Sequence, residues 1–417
     1  MAKKKKKQSG HQKQKLAQSQ NRNEFYRKLH YIIKSCCSED VYHLIPKEIL
    51  KIAYERRCLS VKVVAGKGQD ISSSQMTEFS NTILGRFNVT QIEISTDNEK
   101  NLNEFLTTGI TALRVCYRVN DVNFPQSDKV KKVLSEYTDE SKFLSAVNKE
   151  LYSILHLAGL IESRLDKNLY WLKHKVSNDN KSASGIRTFI EVYKEIPETT
   201  SVVINNISRP VTQVCWADAY EGLKQVSIKP SELNLENTAD DTPMKVYIQS
   251  HALNRLYERL DVIPEFSLNY CAYLAFTDMK VFYNANNNIL IEYRLPKRKV
   301  GYFIVDIVDG MIIIRTFLFL TNSGTPEGQL LEQNTGLKKL DKKYLAIDKL
   351  STFMSEDIEN NKEVRKIFED AGCKSLIGIS EIVEGLNLEL SGKLVAEQMI
   401  KYLNINMPSN LEQSSIK

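Results

Sequence analysis

A chain of 417 residues is long for one hydrophobic core and predicts two or three domains. A hydrophobic fraction of 42% and a charged fraction of 26% belong to an ordinary globular protein, and no apolar run approaches the roughly 20 residues that a membrane helix needs. The net charge of +6 is unevenly placed: residues 1–23 carry eight basic and no acidic side chains, which leaves −2 for the rest.

Lys3, Lys4, Lys5, Lys6 and Lys7 open a Lys/Gln/Ser/Asn-rich stretch without aromatic residues, expected to be a disordered basic tail over 1–23. Such a tail reads as an electrostatic arm for nucleic acid, acting by phosphate neutralisation, or as a solvated segment without a partner. Its lysines are followed by no apolar core, so a secretory signal is not expected and cytoplasmic residence is.

From Glu24 the pattern turns helical, with Phe25, Leu29, Ile32 and Ile33 at helical spacing, and residues 24–178 are predicted to be a mainly helical domain with a few strands. The segment Gly66-Lys67-Gly68-Gln69-Asp70 lacks the G-x-x-x-x-G-K-[ST] pattern and reads as a turn before a serine-rich helix start at Ser72-Ser73-Ser74. A long helix is predicted from Ser141 to about Lys175, because Phe143, Val147, Leu151, Leu155, Ala158, Ile161, Leu165 and Leu169 recur at spacings of three or four. His156 and His174 fall within it as structural residues. Residues 177–185 read as a linker, and 186–243 as a mixed connecting segment with short strands at Ser201–Asn205 and Val211–Trp216.

Met244–Gln249 alternates as a strand and ends at Ser250, an expected N-cap. The helix that follows gathers ionisable residues: at 100° per residue His251, Asn254, Arg255, Glu258 and Arg259 fall on one side, and Ala252, Leu253, Leu256, Tyr257 and Leu260 on the other. Further on, Val300–Val308 and Met311–Thr321 face each other across Asp309-Gly310, the two-residue hairpin signal. Residues 244–324 are thus predicted to be a small α+β module, and 325–417 a helical C-terminal region with helices at Leu337–Met354, Lys362–Ala371 and Leu394–Leu403. The fold class expected for the chain is α+β.

His-Ala-Leu-x-Arg-Leu-x-Glu-Arg, entered from a strand and followed by an antiparallel sheet, resembles the small ribonuclease-toxin domains of the RelE/colicin type over residues 244–321. The resemblance implies RNA binding and metal-independent cleavage of the phosphodiester backbone. Residue by residue it implies His251 as base or acid, Arg255 and Arg259 as phosphate clamps, and Glu258 as the group that orients one of them. Arg315 and Thr321 would complete the site, and Lys297, Arg298 and Lys299 form a basic connection suited to nucleic acid. Read from helix geometry alone, Glu258 paired with Arg255 is equally an ordinary exposed face.

The seven cysteines show no C-x-x-C pair and the six histidines no ligand spacing, so buried free thiols, no metal and no cofactor are expected. RNA or another nucleic acid is the expected partner. The alternative is a non-enzymatic scaffold protein that assembles with a protein partner through the long helix from Ser141.

Overall fold

The structure is a computed structural model that describes residues 10–95, 98–138, 140–177, 186–218, 222–235, 241–354 and 356–382. It is α+β, as its composition and periodicities predict. The chain divides into two compact units: unit 1 is Met1–Gly159 with Tyr170–Lys194, and unit 2 is Leu160–Leu169 with Glu195–Lys417.

Unit 1 runs α1 (Gly10–Cys36), α2 (Lys47–Glu55), β1 (Cys58–Ala65), α3 (Ser73–Val89), β2 (Gln91–Ser95) and β3 (Asn98–Asn101). A short α4 (Leu102–Glu104) passes through a π-helical turn, Phe105–Gly109, into α5 (Ile110–Asn120), α6 (Ser127–Thr138) and α7 (Glu140–Glu162). β4 (Leu169–Ser177) and β5 (Ile186–Glu195) complete it in a three-stranded sheet of order β1-β5-β4, with β1 parallel to β5. Helical periodicity builds the core: Leu29, Ile32 and Ile33 of α1 meet Phe79, Ile83 and Phe87 of α3, and Ala112, Val115, Cys116 and Val119 of α5. The Ser72 hydroxyl caps α3 by accepting from the Gln75 amide at 3.3 Å.

Unit 2 runs β6 (Thr199–Ile204), β7 (Ile207–Gln213), β8 (Cys215–Asp218), β9 (Gly222–Gln225), β10 (Ser227–Ile228), β11 (Met244–Gln249), α8 (Ser250–Arg259) and α9 (Glu265–Leu274). It continues with β12 (Val281–Tyr283), β13 (Ile289–Leu295), β14 (Arg298–Val308), β15 (Met311–Phe319), α10 (Pro326–Thr335), α11 (Lys339–Tyr344), α12 (Glu356–Asn360) and α13 (Lys362–Asp370). One large sheet has the order β12-β13-β14-β15-β11-β7-β6, with β10 also paired to β11. β11 lies parallel to β15 and antiparallel to β7, and α8 packs on β15. Two tight hairpins set its register. Asn205-Asn206 and Asp309-Gly310 both take positive φ (54° and 63°, 50° and 73°), which two-residue hairpins require and Asn, Asp and Gly tolerate.

Four expectations are corrected. Helix α1 starts by Gly10, so residues 10–23 are not disordered; their Gln, Lys, Ala and Leu are good helix formers that extend the packed helix backwards. Residues 1–9, with the lysine run, lie outside the described residues. The long helix ends at Glu162 and His174 stands on strand β4. The spacing of Ile161, Leu165 and Leu169 fits either element, but Asp166-Lys167-Asn168 makes a turn and the Tyr170-Trp171 and Val176 that follow favour a strand. The segment 186–243 is not a connection: β5 belongs to unit 1, and β6 and β7 are one side of the same sheet as β11–β15. Leu337–Met354 is broken into α11 and a 3₁₀ turn, with Ala346 at φ 53° between them. Leu394–Leu403 lies outside the described residues.

Candidate functional site

The site is built where strand β11 becomes helix α8. In an antiparallel ladder, opposed residues share a face and alternate residues repeat it. Val202 opposes Arg209, Val211 opposes Gln249, and Gln213 opposes Tyr247, which in turn opposes Ile313 of β15. Val202, Val211, Tyr247 and Ile313 pack as a small hydrophobic cluster. Beside that cluster lies a pocket of about 300 Å³, lined by Ile204, Asn205, Arg209, Gln249, His251, Arg315 and Thr316.

Arg315, two residues beyond Ile313, shares its face and stands at a bulge. Ile304 opposes Thr316 and Val305 opposes Ile314, so Arg315 is an extra residue on β15; bulges of this kind re-aim a side chain. Its guanidinium lies 3.2 Å from Asp306 Oδ2 and donates weakly to Asn288 Oδ1 at 3.4 Å. Arg209 and His251 have no ion pair or hydrogen-bonding side-chain partner among the described residues. Arg209 thus brings a guanidinium without a counter-charge to a wall lined by no acidic side chain, while Arg315 is already paired with Asp306.

Two features leave polar groups open there. Gln249 is 4% exposed and its Nε2 finds no hydrogen-bond partner. An orphaned buried amide of this kind costs roughly 1–3 kcal/mol and calls for a ligand or water. Gln213, fully buried on the same face, leaves both of its amide atoms unpartnered. In addition, the cap position of α8 is Gln249, not the expected Ser250, and no side chain caps the helix start. The first amides of a helix have no intrahelical acceptor and favour an anion.

The other residues singled out by sequence do not join His251. Arg255 pairs with Glu258 at 2.5 Å, each 41% exposed. Burial pushes the Glu258 carboxyl up, but Arg259 and Arg255 outweigh it and hold the pKa below its usual value. Arg259 is not on a solvent face: it is 13% exposed and ion-paired to Asp348, itself 5% exposed. Arg298 donates to the Ile377 carbonyl at 2.5 Å, and Lys299 pairs with Glu327 at 2.5 Å, so both tie the β13–β14 hairpin to later segments. Lys297 stands exposed at that turn, and the buried Thr321 hydroxyl donates to the Ile347 carbonyl at 2.7 Å. Arg209 and Gln249 were missed because an isolated Arg on one strand and a Gln ending another acquire meaning only through cross-strand register.

A larger cavity of about 680 Å³ beside α9 is mainly apolar, with Tyr270, Cys271, Leu274 and Leu295 on its wall. Of its charged residues Glu292 and Arg294 pair with each other, leaving Asp278, and burial pushes the Cys271 thiol up to about 11. Among the described residues no group of three or more His, Cys, Asp or Glu could hold a metal ion, and no helix is long and apolar enough to cross a membrane. No protein-family model, curated protein or solved structure matches the chain.

Proposed function

We propose that unit 2 is an RNA-binding module that seats a backbone phosphate in the pocket at the start of α8. The observation that carries this reading is the orphaned, buried Gln249 Nε2 on a wall shared with Arg209, His251 and Arg315, beside a helix start without a side-chain cap. Guanidiniums match phosphate geometry, and the amide supplies a neutral donor that needs no counter-charge. The likeness of the His-Ala-Leu-x-Arg-Leu-x-Glu-Arg helix to ribonuclease-toxin helices adds support for RNA as the class of partner. Binding without cleavage is the reading adopted. His251 is the single acid–base side chain among the residues lining the pocket, whereas strand scission draws on both a base and an acid.

The test is a gel-shift titration of the full chain on single-stranded RNA, run across a salt series in chelator. Wild type binds. Arg209→Ala/Arg315→Ala loses affinity, and its log–log salt slope falls by about 1.4, the release expected for two lost phosphate contacts on a single strand. An unchanged slope and affinity would remove the pocket from RNA recognition. Chelator-resistant fragments that vanish in His251→Ala would convert the module into a ribonuclease.

A further inference from the structure

Unit 1 holds a second pocket, of about 630 Å³, between α2 and α5, lined by Ile49, Ile52, Ala53, Glu55, Arg56, Thr111, Arg114, Val115 and Arg118. Thr111, Arg114, Val115 and Arg118 recur at i, i+3, i+4 and i+7, so α5 presents one continuous stripe to it. Three guanidiniums and one carboxylate leave the wall two charges positive. No hydrogen bond or ion pair holds the side chains of Arg56, Arg114 or Arg118 among the described residues. Arg114 is the telling one: its Nη1 is buried and without a hydrogen-bond partner, and burial lowers its pKa by stripping water from the charge. A guanidinium gives up hydration in this way at a cost, and two further cations nearby add repulsion. An anion seated among the three removes both penalties.

The local backbone supports a built site. The five-residue π-turn Phe105–Gly109 leads directly into α5, and such turns recur at functional sites. The Thr111 hydroxyl accepts from the Cys58 amide at 3.2 Å and donates to the Thr107 carbonyl at 3.1 Å, which pins the first turn of the stripe to β1. Arg114 is therefore presented from a fixed helix.

We infer that this pocket binds the dianionic phosphate group of a small phosphorylated ligand, with Arg56, Arg114 and Arg118 as its clamp and Ile49, Ile52 and Val115 against the ligand's apolar part. Charge selects the phosphate: the wall's excess of two matches a phosphate monoester, and planar guanidiniums grip two oxygens at once. The volume suits a metabolite-sized molecule. This inference concerns unit 1 and does not depend on RNA binding by unit 2.

The experiment is calorimetric titration of the full chain with inorganic phosphate, and separately with phenyl phosphate, which carries an apolar group. Wild type and Arg209→Ala/Arg315→Ala bind with one saturable site, and phenyl phosphate binds at least as tightly as inorganic phosphate. Arg114→Met loses binding tenfold or more. Arg118→Met, at an exposed position, repeats the loss in a chain whose far-ultraviolet spectrum is unchanged, so a folding failure of Arg114→Met cannot mimic the result. Equal binding by wild type, Arg114→Met and Arg118→Met overturns the inference. So does an absence of millimolar binding in wild type. Loss in Arg209→Ala/Arg315→Ala alone would place the anion in unit 2 and equally overturn it.

Discussion

Arg255 and Arg259 lie one turn apart on α8, yet they do different physical work. Arg255 meets Glu258 with both side chains 41% exposed, where water screens the pair and its worth is at most a few tenths of a kcal/mol. Arg259 neutralises Asp348, and the two are 13% and 5% exposed. Removing one member of a buried pair strands the other charge, at a cost of about 3–5 kcal/mol. Arg259→Ala is therefore expected to lower unfolding free energy by about 3 kcal/mol or more in urea, and Arg255→Ala to change it by less than about 0.5 kcal/mol. Arg259→Met/Asp348→Leu should recover most of the loss. Equal, small effects of the two single changes would contradict the buried pair. A helical wheel set both arginines on one polar side because it knows angle but not depth. Asp348 comes from a loop 89 residues away, which no local pattern reveals. His251 and Arg315 were legible as isolated basic residues next to a strand end and on a strand. The cross-strand register that brings Arg315 to Arg209 and Gln249 was not.

At the scale of elements, caps and turns carried the most information. Asp309-Gly310 and the serines at 72–74 specify local backbone geometry through chemistry that works within a few residues. The passage from α7 to β4 failed because leucines at three- and four-residue spacing continue across a turn made by polar residues. Asp40, between α1 and the 3₁₀ turn at Tyr42–Leu44, shows how such a junction is fastened. Its carboxylate accepts from His30 Nε2 at 2.9 Å and from the Tyr42 amide at 3.2 Å, and the His30 hydrogen bond chiefly holds its pKa below the usual carboxylate range. A carboxyl with a depressed folded pKa contributes stability above its unfolded pKa of about 3.9, and the contribution disappears as pH falls through the folded value. With the Asp40 side chain 33% exposed, solvent screening keeps the contribution to about 0.5–1 kcal/mol. Asp40→Asn should lower stability by that amount at pH 6, and wild type and variant should converge as acidification passes the lowered folded pKa. A difference that persists undiminished at low pH would assign the effect to packing instead.

The whole chain is not a string of consecutive domains, and that has a measurable consequence. It enters unit 2 at Leu160, returns to unit 1 at Tyr170 and enters unit 2 again at Glu195. The short visit is energetically substantial. Leu165 is fully buried and its amide donates to Asn269 Oδ1 at 3.4 Å. Asn269, itself fully buried on α9, also accepts from the Tyr257 hydroxyl of α8 at 3.1 Å, and Arg164 pairs with Glu265 at 2.7 Å. The segment thus fastens α9 to α8, the helix whose His251 lines the pocket proposed for RNA. A fragment beginning at Glu195 contains every strand of the large sheet but lacks these contacts. Losing one buried leucine costs about 1.5–3 kcal/mol, and the lost hydrogen bond to Asn269, which keeps Tyr257 and Glu265 as partners, about 0.5–1 kcal/mol more. Against a domain stability of about 5–15 kcal/mol this is a large share. The fragment 195–417 should consequently lose amide protection in α8 and α9 before the sheet, as read by hydrogen exchange, and bind RNA more weakly than the full chain. Protection in α9 equal to that of the full chain would show that residues 160–169 are ornamental to unit 2. Sequence periodicity cannot expose this arrangement, because a ten-residue loan between units leaves no shift in composition. Only the partners of Leu165 and Arg164 reveal to which unit those residues belong.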